Sequence, residues 1–558
     1  MRKAPLPVGV DDFLHLRKKK CFYVDKTLMI QDLIDTGSQV NVFMRPRRFG
    51  KSLNISMLQY YFDILHKDDA DVFHGLQIDS LGDEYKQHQN QYPVIKMTLK
   101  GAEGRDFDTA FSKLKTIIAE EFKRHIYLLE GDTLLISEKE YFQKIIDKVG
   151  GYVDFSDSLK LLSVFLEKYY NQKVMILIDE YDVPLEKAHF NGFYEEMIRF
   201  IRSFLGDALK TNQSLFKGVL TGCLRVSKES IFTGLNNPDM ISILSTHYDE
   251  YFGFTEAEVT KMFRYYHFEE QLVDAKNWYN GYLFGKATVY NPWSLIKYVK
   301  DVQGDMLYPK SYWSNTSSNS IVKDLIEIAN DDVKGEIEHL INDGTIIKSI
   351  TEDIVYSDIK KNMDNLWSFL FLTGYLTKVS ETFLNDRMYY QLSIPNKEVK
   401  YIYERQIREW FEERITNKDN LTVLHNAMLD GDVSTLESEM ITILGQSISY
   451  LDSQEAFYHG LLSGLFASLP GYRVVSNREA GKGRVDLFLK PVSMRKQAFI
   501  IELKVAKHFN KLENEASIAL KQIEDRNYEA ELLAEGYQDI GKYGISFYRK
   551  DCLVMKDH

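Results

Sequence analysis

Gln39–Ser52 reads QVNVFMRPRRFGKS, and Lys173–Glu180 reads KVMILIDE. The first stretch closes on Gly50-Lys51-Ser52, the end of the phosphate-loop pattern G-x-x-x-x-G-K-[ST]. A short apolar run (39–44) precedes it, and a segment with helical spacing (53–65) follows. That strand–loop–helix context is what the chemistry needs. Backbone N–H groups and the positive helix N-terminus hold phosphates. Lys51 is expected to reach the β and γ oxygens, and Ser52 to ligate Mg²⁺. Arg47, Arg48, Phe49 and Gly50 complete the expected cradle. One departure stands at the other end of the loop, where Arg45 replaces the first glycine.

The second stretch supplies the partner motif. Val174–Ile178 is a continuous apolar run, the pattern of a strand buried on both faces of a parallel sheet. It ends in Asp179-Glu180. An Asp delivered there suits the water shell of a metal, and the following Glu suits orientation of an attacking water. The two stretches together predict a nucleotide site for ATP with Mg²⁺, in which Glu180 supports hydrolysis. A further strand is expected over 216–222. It ends near Thr221, a candidate γ-phosphate contact, with Arg225 just beyond. Arg225 reads either as a charge-stabilising arginine or as an ordinary structural one.

Working outward, 92–99 reads as a strand. Phe107, Phe111, Leu114, Ile118 and Phe122 recur at helical spacing, as do Leu159, Leu162, Phe165 and Tyr169. A helix is expected over about 193–211. Strands and helices alternating at these lengths predict an α/β core over residues 1–250. From about 251 to 450 the pattern becomes mainly helical. Within it, 366–372 followed by pairing of 375–379 with 388–394 reads either as a winged-helix-like element or as a plain helix and hairpin. Residues 451–558 return to mixed α/β, in the order helix, three strands, helix, strand.

The chain resembles the AAA-ATPase-like family with an arginine-rich phosphate loop. The resemblance rests on PLPVGVDDF (5–13), YVDKT (23–27), RPRRFGKS (45–52), LIDEYDVP (177–184), NPWS (291–294) and YWSNT (312–316), and covers about residues 5–320. It implies a P-loop parallel α/β ATPase core, in which arginine for the first glycine is usual.

A second constellation lies near the tail. Asp486 closes Gly483-Arg484-Val485-Asp486, and Ile500–Val505 reads IIELKV. Side chains alternate along a strand, so Glu502 and Lys504 share a face. Charges in an apolar strand are costly unless paired or used. A neighbouring strand is expected to set Asp486 beside Glu502 as a carboxylate pair for a divalent cation, with Lys504 activating water. Asp-x(n)-Glu-x-Lys in this frame resembles the PD-(D/E)XK nuclease superfamily, over about 450–550. AFYHGLL (456–462), GRVDLFL (483–489) and ALKQI (519–523) resemble the nuclease-superfamily domain usually fused behind this ATPase-like domain. The resemblance implies a third acid at Glu455, a Gln522…Tyr528 motif, and catalysis carried by Asp486, Glu502 and Lys504. Lys482 and Arg484 are expected backbone contacts of a nucleic acid.

Composition bounds these readings. The 558 residues suggest three to four domains at about 150 residues each. With 69 basic and 81 acidic residues the net charge is −12, whereas a protein that coats nucleic acid nonspecifically is usually basic. Any contact with nucleic acid, DNA being the expected polymer, must be local. Cys21, Cys223 and Cys552 lie too far apart in the chain to form a disulfide framework or a thiolate metal site. No apolar run reaches membrane-spanning length, the best being 366–376. The basic start MRKAPLPVGVDDF has no apolar stretch behind it, so no secretory signal is expected. A cytoplasmic protein with no membrane contact is the expectation, and homo-oligomerisation is allowed.

The leading function is an ATP-binding, ATP-hydrolysing protein with a metal-dependent nuclease-type domain. The alternative is a nucleotide-gated switch whose nuclease fold only grips nucleic acid or a partner. A scaffold with vestigial ATPase activity is a third reading, motivated by Arg45.

Overall fold

The computed structural model describes residues 3–225, 238–313, 331–354, 363–415, 421–445, 455–480 and 483–557. The chain forms two compact units. One contains residues 1–316 and 345–400, the other 317–344 and 401–558. The segment 251–450 is thus divided between them.

The first unit is built on five strands: β1 (Val40–Met44), β2 (Val94–Thr98), β3 (Val174–Asp179), β4 (Leu215–Gly222) and β5 (Asp239–Ile241). All pair in parallel, in the spatial order β2-β3-β4-β1-β5. Every residue of β1 and β3 is buried, as their unbroken apolar runs require. Helices cover the sheet. Phe107–Arg124 starts at Asp106, whose side chain accepts from the Thr109 N–H, and buries Leu114, Ile118 and Phe122. Tyr152–Tyr170 buries Leu159, Leu162, Phe165 and Leu166 and stops where Asn171 turns left-handed. The expected inner position Tyr169 instead lies at solvent, 41% exposed, packing edge-on against Tyr127 and Tyr170. Each fully buried Leu or Phe contributes about 1.5–3 kcal/mol, so this shared core dominates local stability.

The region expected to be mainly helical also contains two three-stranded antiparallel sheets. One pairs β6 (Phe254–Thr255), β7 (Tyr282–Phe284) and β8 (Ala287–Tyr290) in the order β6-β8-β7. The other pairs β9 (Ile346–Lys348), β10 (Thr377–Leu384) and β11 (Arg387–Ser393) in the order β10-β11-β9. Most of these strands are too short to carry a readable alternation. The helix Met363–Leu372 precedes β10. The β10–β11 hairpin turns tightly at Asn385-Asp386, both with positive φ, so its strands run further into the polar segment than expected.

In the second unit, β12 (Tyr472–Ala480), β13 (Gly483–Pro491), β14 (Ala498–Val505), β15 (Ile540–Tyr548) and β16 (Asp551–Lys556) form one sheet in chain order. Only β14 and β15 are parallel, and a parallel pair needs a crossover. Leu512–Asp525 and Glu529–Ala534 supply it, as two helices where one was expected over 511–533. Helix Glu455–Ala467 leads into the sheet. Lys482 lies outside the described residues, as do Ser314–Thr316 of the YWSNT segment.

Candidate functional site

Parallel strands put all their carboxyl ends on one edge, where α/β sheets bind ligands. Here β4 lies between β1 and β3, so the ends of three strands converge. Gly50 caps the helix Lys51–Phe62 at φ +84, with open space where a Cβ would be. Glycine is needed there for the left-handed backbone rather than for room. Lys51 turns back into the loop, and its ammonium donates to the Arg45 and Pro46 carbonyls at 3.0 Å each. Ser52 Oγ donates to Asp179 Oδ2 at 2.6 Å, and Thr221 Oγ1 donates to Asp179 Oδ1 at 2.5 Å. One buried carboxylate thus joins the phosphate loop, the apolar strand and the strand between them. Glu180 follows at φ +53, a costly conformation for a non-glycine residue. Burial pushes its carboxyl up, against the pull of Lys51.

The arginines divide by role. Arg45 is fully buried. Its guanidinium donates to the Met44, Ile241 and Tyr248 carbonyls at 3.0–3.3 Å and lies over the Phe252 and Phe284 rings. Burial pushes its pKa down to about 9. It braces the loop from beneath. Arg47 pairs with Glu186 at 2.5 Å. Arg48 stacks on Trp293, 4.4 Å from the ring centroid. Arg225 pairs with Asp353 at 2.7 Å. The Phe49 ring is wholly buried against Tyr282 and Phe284, which leaves only its backbone facing the cradle.

Sequence reasoning passed over Asp182. Its Oδ2 accepts from the Cys223 and Leu224 N–H groups at 2.8 and 3.0 Å, pinning the chain just beyond β4. A Cβ on Gly222 would meet the Tyr181 ring at 2.6 Å and Asp182 Oδ1 at 2.8 Å, so this turn is closed to any side chain. The signal was the third acid of LIDEYDVP, three residues after the strand end. Trp293 was also missed as a site residue, although NPWS displayed it.

In the second unit the β13–β14 ladder ends at Leu487–Ile501. Beyond it, side chains replace backbone partners. The Leu503 N–H donates to Asp486 Oδ2 at 2.9 Å, and the Asp486 N–H points at Glu502 Oε2 at 3.4 Å. Asp486 and Glu502 are therefore brought together as expected. Lys504 Nζ lies 3.6 Å from Glu502 Oε1. Gln522 Nε2 donates to Glu502 Oε1, and the Tyr528 hydroxyl lies 3.4 Å from the same amide. Burial, then the neighbouring Asp486 charge, pushes Glu502 up to about 7 against the pull of Lys504. Burial also raises Asp486.

Glu455 stands exposed at the first turn of its helix. One helical turn on, His459 Nε2 donates to the Asp486 carbonyl at 3.0 Å. Among the described residues, no group of three or more His, Cys, Asp or Glu side chains is gathered to hold a metal ion. The fit to a divalent cation therefore rests on the pair. Buried Glu502 and half-buried Asp486 are oxygen donors, the charge of Asp486 raises the proton affinity of Glu502, and a hard cation would relieve that cost. At the first site, Ser52 Oγ and Asp179 form a similarly hard oxygen set.

Residues 7–232 match the family model described as a predicted AAA-ATPase, and residues 453–557 match that of the PD-(D/E)XK nuclease superfamily. An uncharacterized protein in the vnfD 5′ region of Azotobacter chroococcum mcd 1 is similar. It is 26% identical over 579 residues, spanning 100% of this chain and 98% of that protein. No solved structure matches the chain. Among the described residues, no helix is long and apolar enough to cross a membrane.

Proposed function

We propose that this chain, with an AAA-ATPase-like domain ahead of a PD-(D/E)XK nuclease-superfamily domain, binds and hydrolyses ATP at the first and cleaves nucleic acid, DNA being the expected polymer, at the second. The observation that carries the first half is the Ser52–Asp179–Thr221 junction, since nothing in ordinary core packing calls for three polar side chains at converging strand ends. Lys51 leaves the loop carbonyls to donate to phosphate oxygens, which replace them as acceptors. Ser52 and Asp179 are the residues that would hold Mg²⁺, and Glu180 orients the attacking water.

At the second site, Asp486 and Glu502 would hold the cation, and Gln522 and the β14 backbone fix their orientation. Lys504 donates to a phosphodiester oxygen and keeps the nearby water's proton mobile. A bound divalent ion supplies charge neutralisation at the reacting phosphorus and a lowered water pKa at both sites.

Phosphate release from Mg²⁺-ATP tests the first half. Turnover that disappears in Lys51→Ala and Glu180→Gln supports it, and a chain with no turnover, or with turnover indifferent to both changes, removes it.

A second reading draws on the exposed Glu455 and the absence of a three-ligand group among the described residues. In it the nuclease fold binds nucleic acid without cutting it, under control of the nucleotide. That reading predicts binding that follows nucleotide state and survives Asp486→Ala.

A further inference from the structure

Four arginines surround the phosphate loop, and three are committed. Arg45 is spent on carbonyls, Arg47 on Glu186 and Arg225 on Asp353. Arg48 differs. Among the described residues its guanidinium makes no hydrogen bond and no ion pair. All five of its N–H donors are unspent, yet the group is not adrift. Its carbon lies 4.4 Å from the Trp293 centroid, and Lys297 lies 5.0 Å from the same ring. Trp293 is set in the first helical turn after Asn291, whose side chain caps the helix Pro292–Gln303. The residue beneath is equally constrained, with Arg48 held at φ +71. Glu180, the candidate water-orienting carboxylate, is close enough for its charge to act on Arg48.

A planar fork of donors, oriented by an aromatic face and carried on the phosphate loop itself, is what a developing phosphoryl charge requires. We infer that Arg48 is a catalytic residue that stabilises the γ-phosphoryl group in the transition state, supplied by the same chain, and that Trp293 is its positioning residue. The inference rests on the ATP-hydrolysis reading above and deepens it. As the water oxygen bonds to the γ-phosphorus, the bridging β–γ P–O bond breaks. ADP leaves with that electron pair, and the water's proton ends on the released phosphate or in solvent. Charge grows on the equatorial oxygens during this exchange, and Arg48 donates to them. Trp293 gives up no contact in the process, because a guanidinium can stack through its face and donate through its edge.

The test is steady-state phosphate release by the full chain with Mg²⁺-ATP, across Arg48→Ala, Arg48→Lys, Trp293→Ala and Trp293→Phe. Melting curves establish that each variant is folded. Arg48→Ala is expected to lower kcat on the order of 10³-fold with KM changed much less. Arg48→Lys is not expected to rescue it, because the ammonium lacks the fork. Trp293→Ala is expected to lower kcat roughly tenfold, and Trp293→Phe to recover most of that loss, because an aromatic face is kept. A further readout is tryptophan emission. Mg²⁺-ADP with aluminium fluoride, which mimics the transferring group, is expected to change emission in the unsubstituted chain and not in Trp293→Phe.

Lys51-dependent turnover that stays within twofold in Arg48→Ala would overturn the inference while leaving the ATPase reading in place. So would a kcat loss in Arg225→Ala, measured beside them, that Arg48→Ala does not share. Absence of any Lys51-dependent turnover in the unsubstituted chain would overturn that reading and the inference with it.

Discussion

Arg45 stands where a phosphate loop ordinarily opens with glycine, and the reason is local. Its guanidinium satisfies three buried carbonyls and fills the space between two phenylalanine rings. Replacing it with the consensus residue removes the donors and leaves a cavity. Arg45→Gly is therefore expected to destabilise the chain by about 2–4 kcal/mol, read as a lower urea midpoint. An unchanged midpoint with faster ATP turnover would show that the arginine was only an obstacle. The residues legible in advance were those whose spacing forces their position. Lys51, Ser52 and Asp179 follow from strand–loop–helix geometry, and Glu502 and Lys504 from two-residue alternation. Side-chain pairing was not legible. Arg225 finding Asp353 and Arg48 finding Trp293 join residues 128 and 245 positions apart, and no periodicity encodes such distances.

Elements with strong periodicity were readable, among them the buried strands β1 and β3 and the amphipathic helix Phe107–Arg124. The three-residue strands β5, β7 and β9 were not, because a strand that short shows no alternation and is held by tertiary pairing. The same limit hid the contact that ties helix Lys397–Ile415 to its neighbours. Glu398, fully buried at its start, accepts through Oε1 from Ser294 Oγ and from the Tyr312 and Trp313 N–H groups. Burial pushes its carboxyl up to about 7, against those three donors.

The folded chain therefore holds this proton at pH values where the unfolded chain, near the ordinary carboxyl value of 4.5, has released it. The stability Glu398 contributes is whole below about 4.5 and is lost as pH rises through about 7. An amide keeps the accepting oxygen without the charge. Glu398→Gln is thus expected to flatten this part of the pH profile, gaining on the order of 2 kcal/mol at pH 8 relative to its standing at pH 5. Denaturation curves at the two pH values check it, and an equal difference in both proteins would contradict it.

Over the whole molecule, charge limits how nucleic acid can be held. A net charge of −12 repels a polyanion, so the proposed attraction has to be local. Binding by the Asp486→Ala protein is expected to weaken only gently with salt. With about 0.9 of slope per phosphate neutralised, the logarithmic slope should be roughly −2 to −4, measured by fluorescence anisotropy on a labelled duplex. A slope near −10 would instead show an extensive basic surface and contradict local holding. The division into an ATPase-like front and a nuclease-like tail was legible because each end carries its own motif pair. The allotment of residues 251–450 between two units was not, because it depends on packing that no local pattern records.

Asp486, Glu502 and Lys504 are proposed to form a working site for phosphodiester cleavage in a chain that also handles ATP. The direct test incubates the full chain with linear double-stranded DNA, single-stranded DNA and RNA in Mg²⁺ or Mn²⁺, with and without ATP, beside Asp486→Ala. Metal-dependent cleavage of at least one polymer is expected, and Asp486→Ala is expected to abolish it while remaining folded. Intact polymers under every condition, or cleavage undiminished in Asp486→Ala, would contradict it.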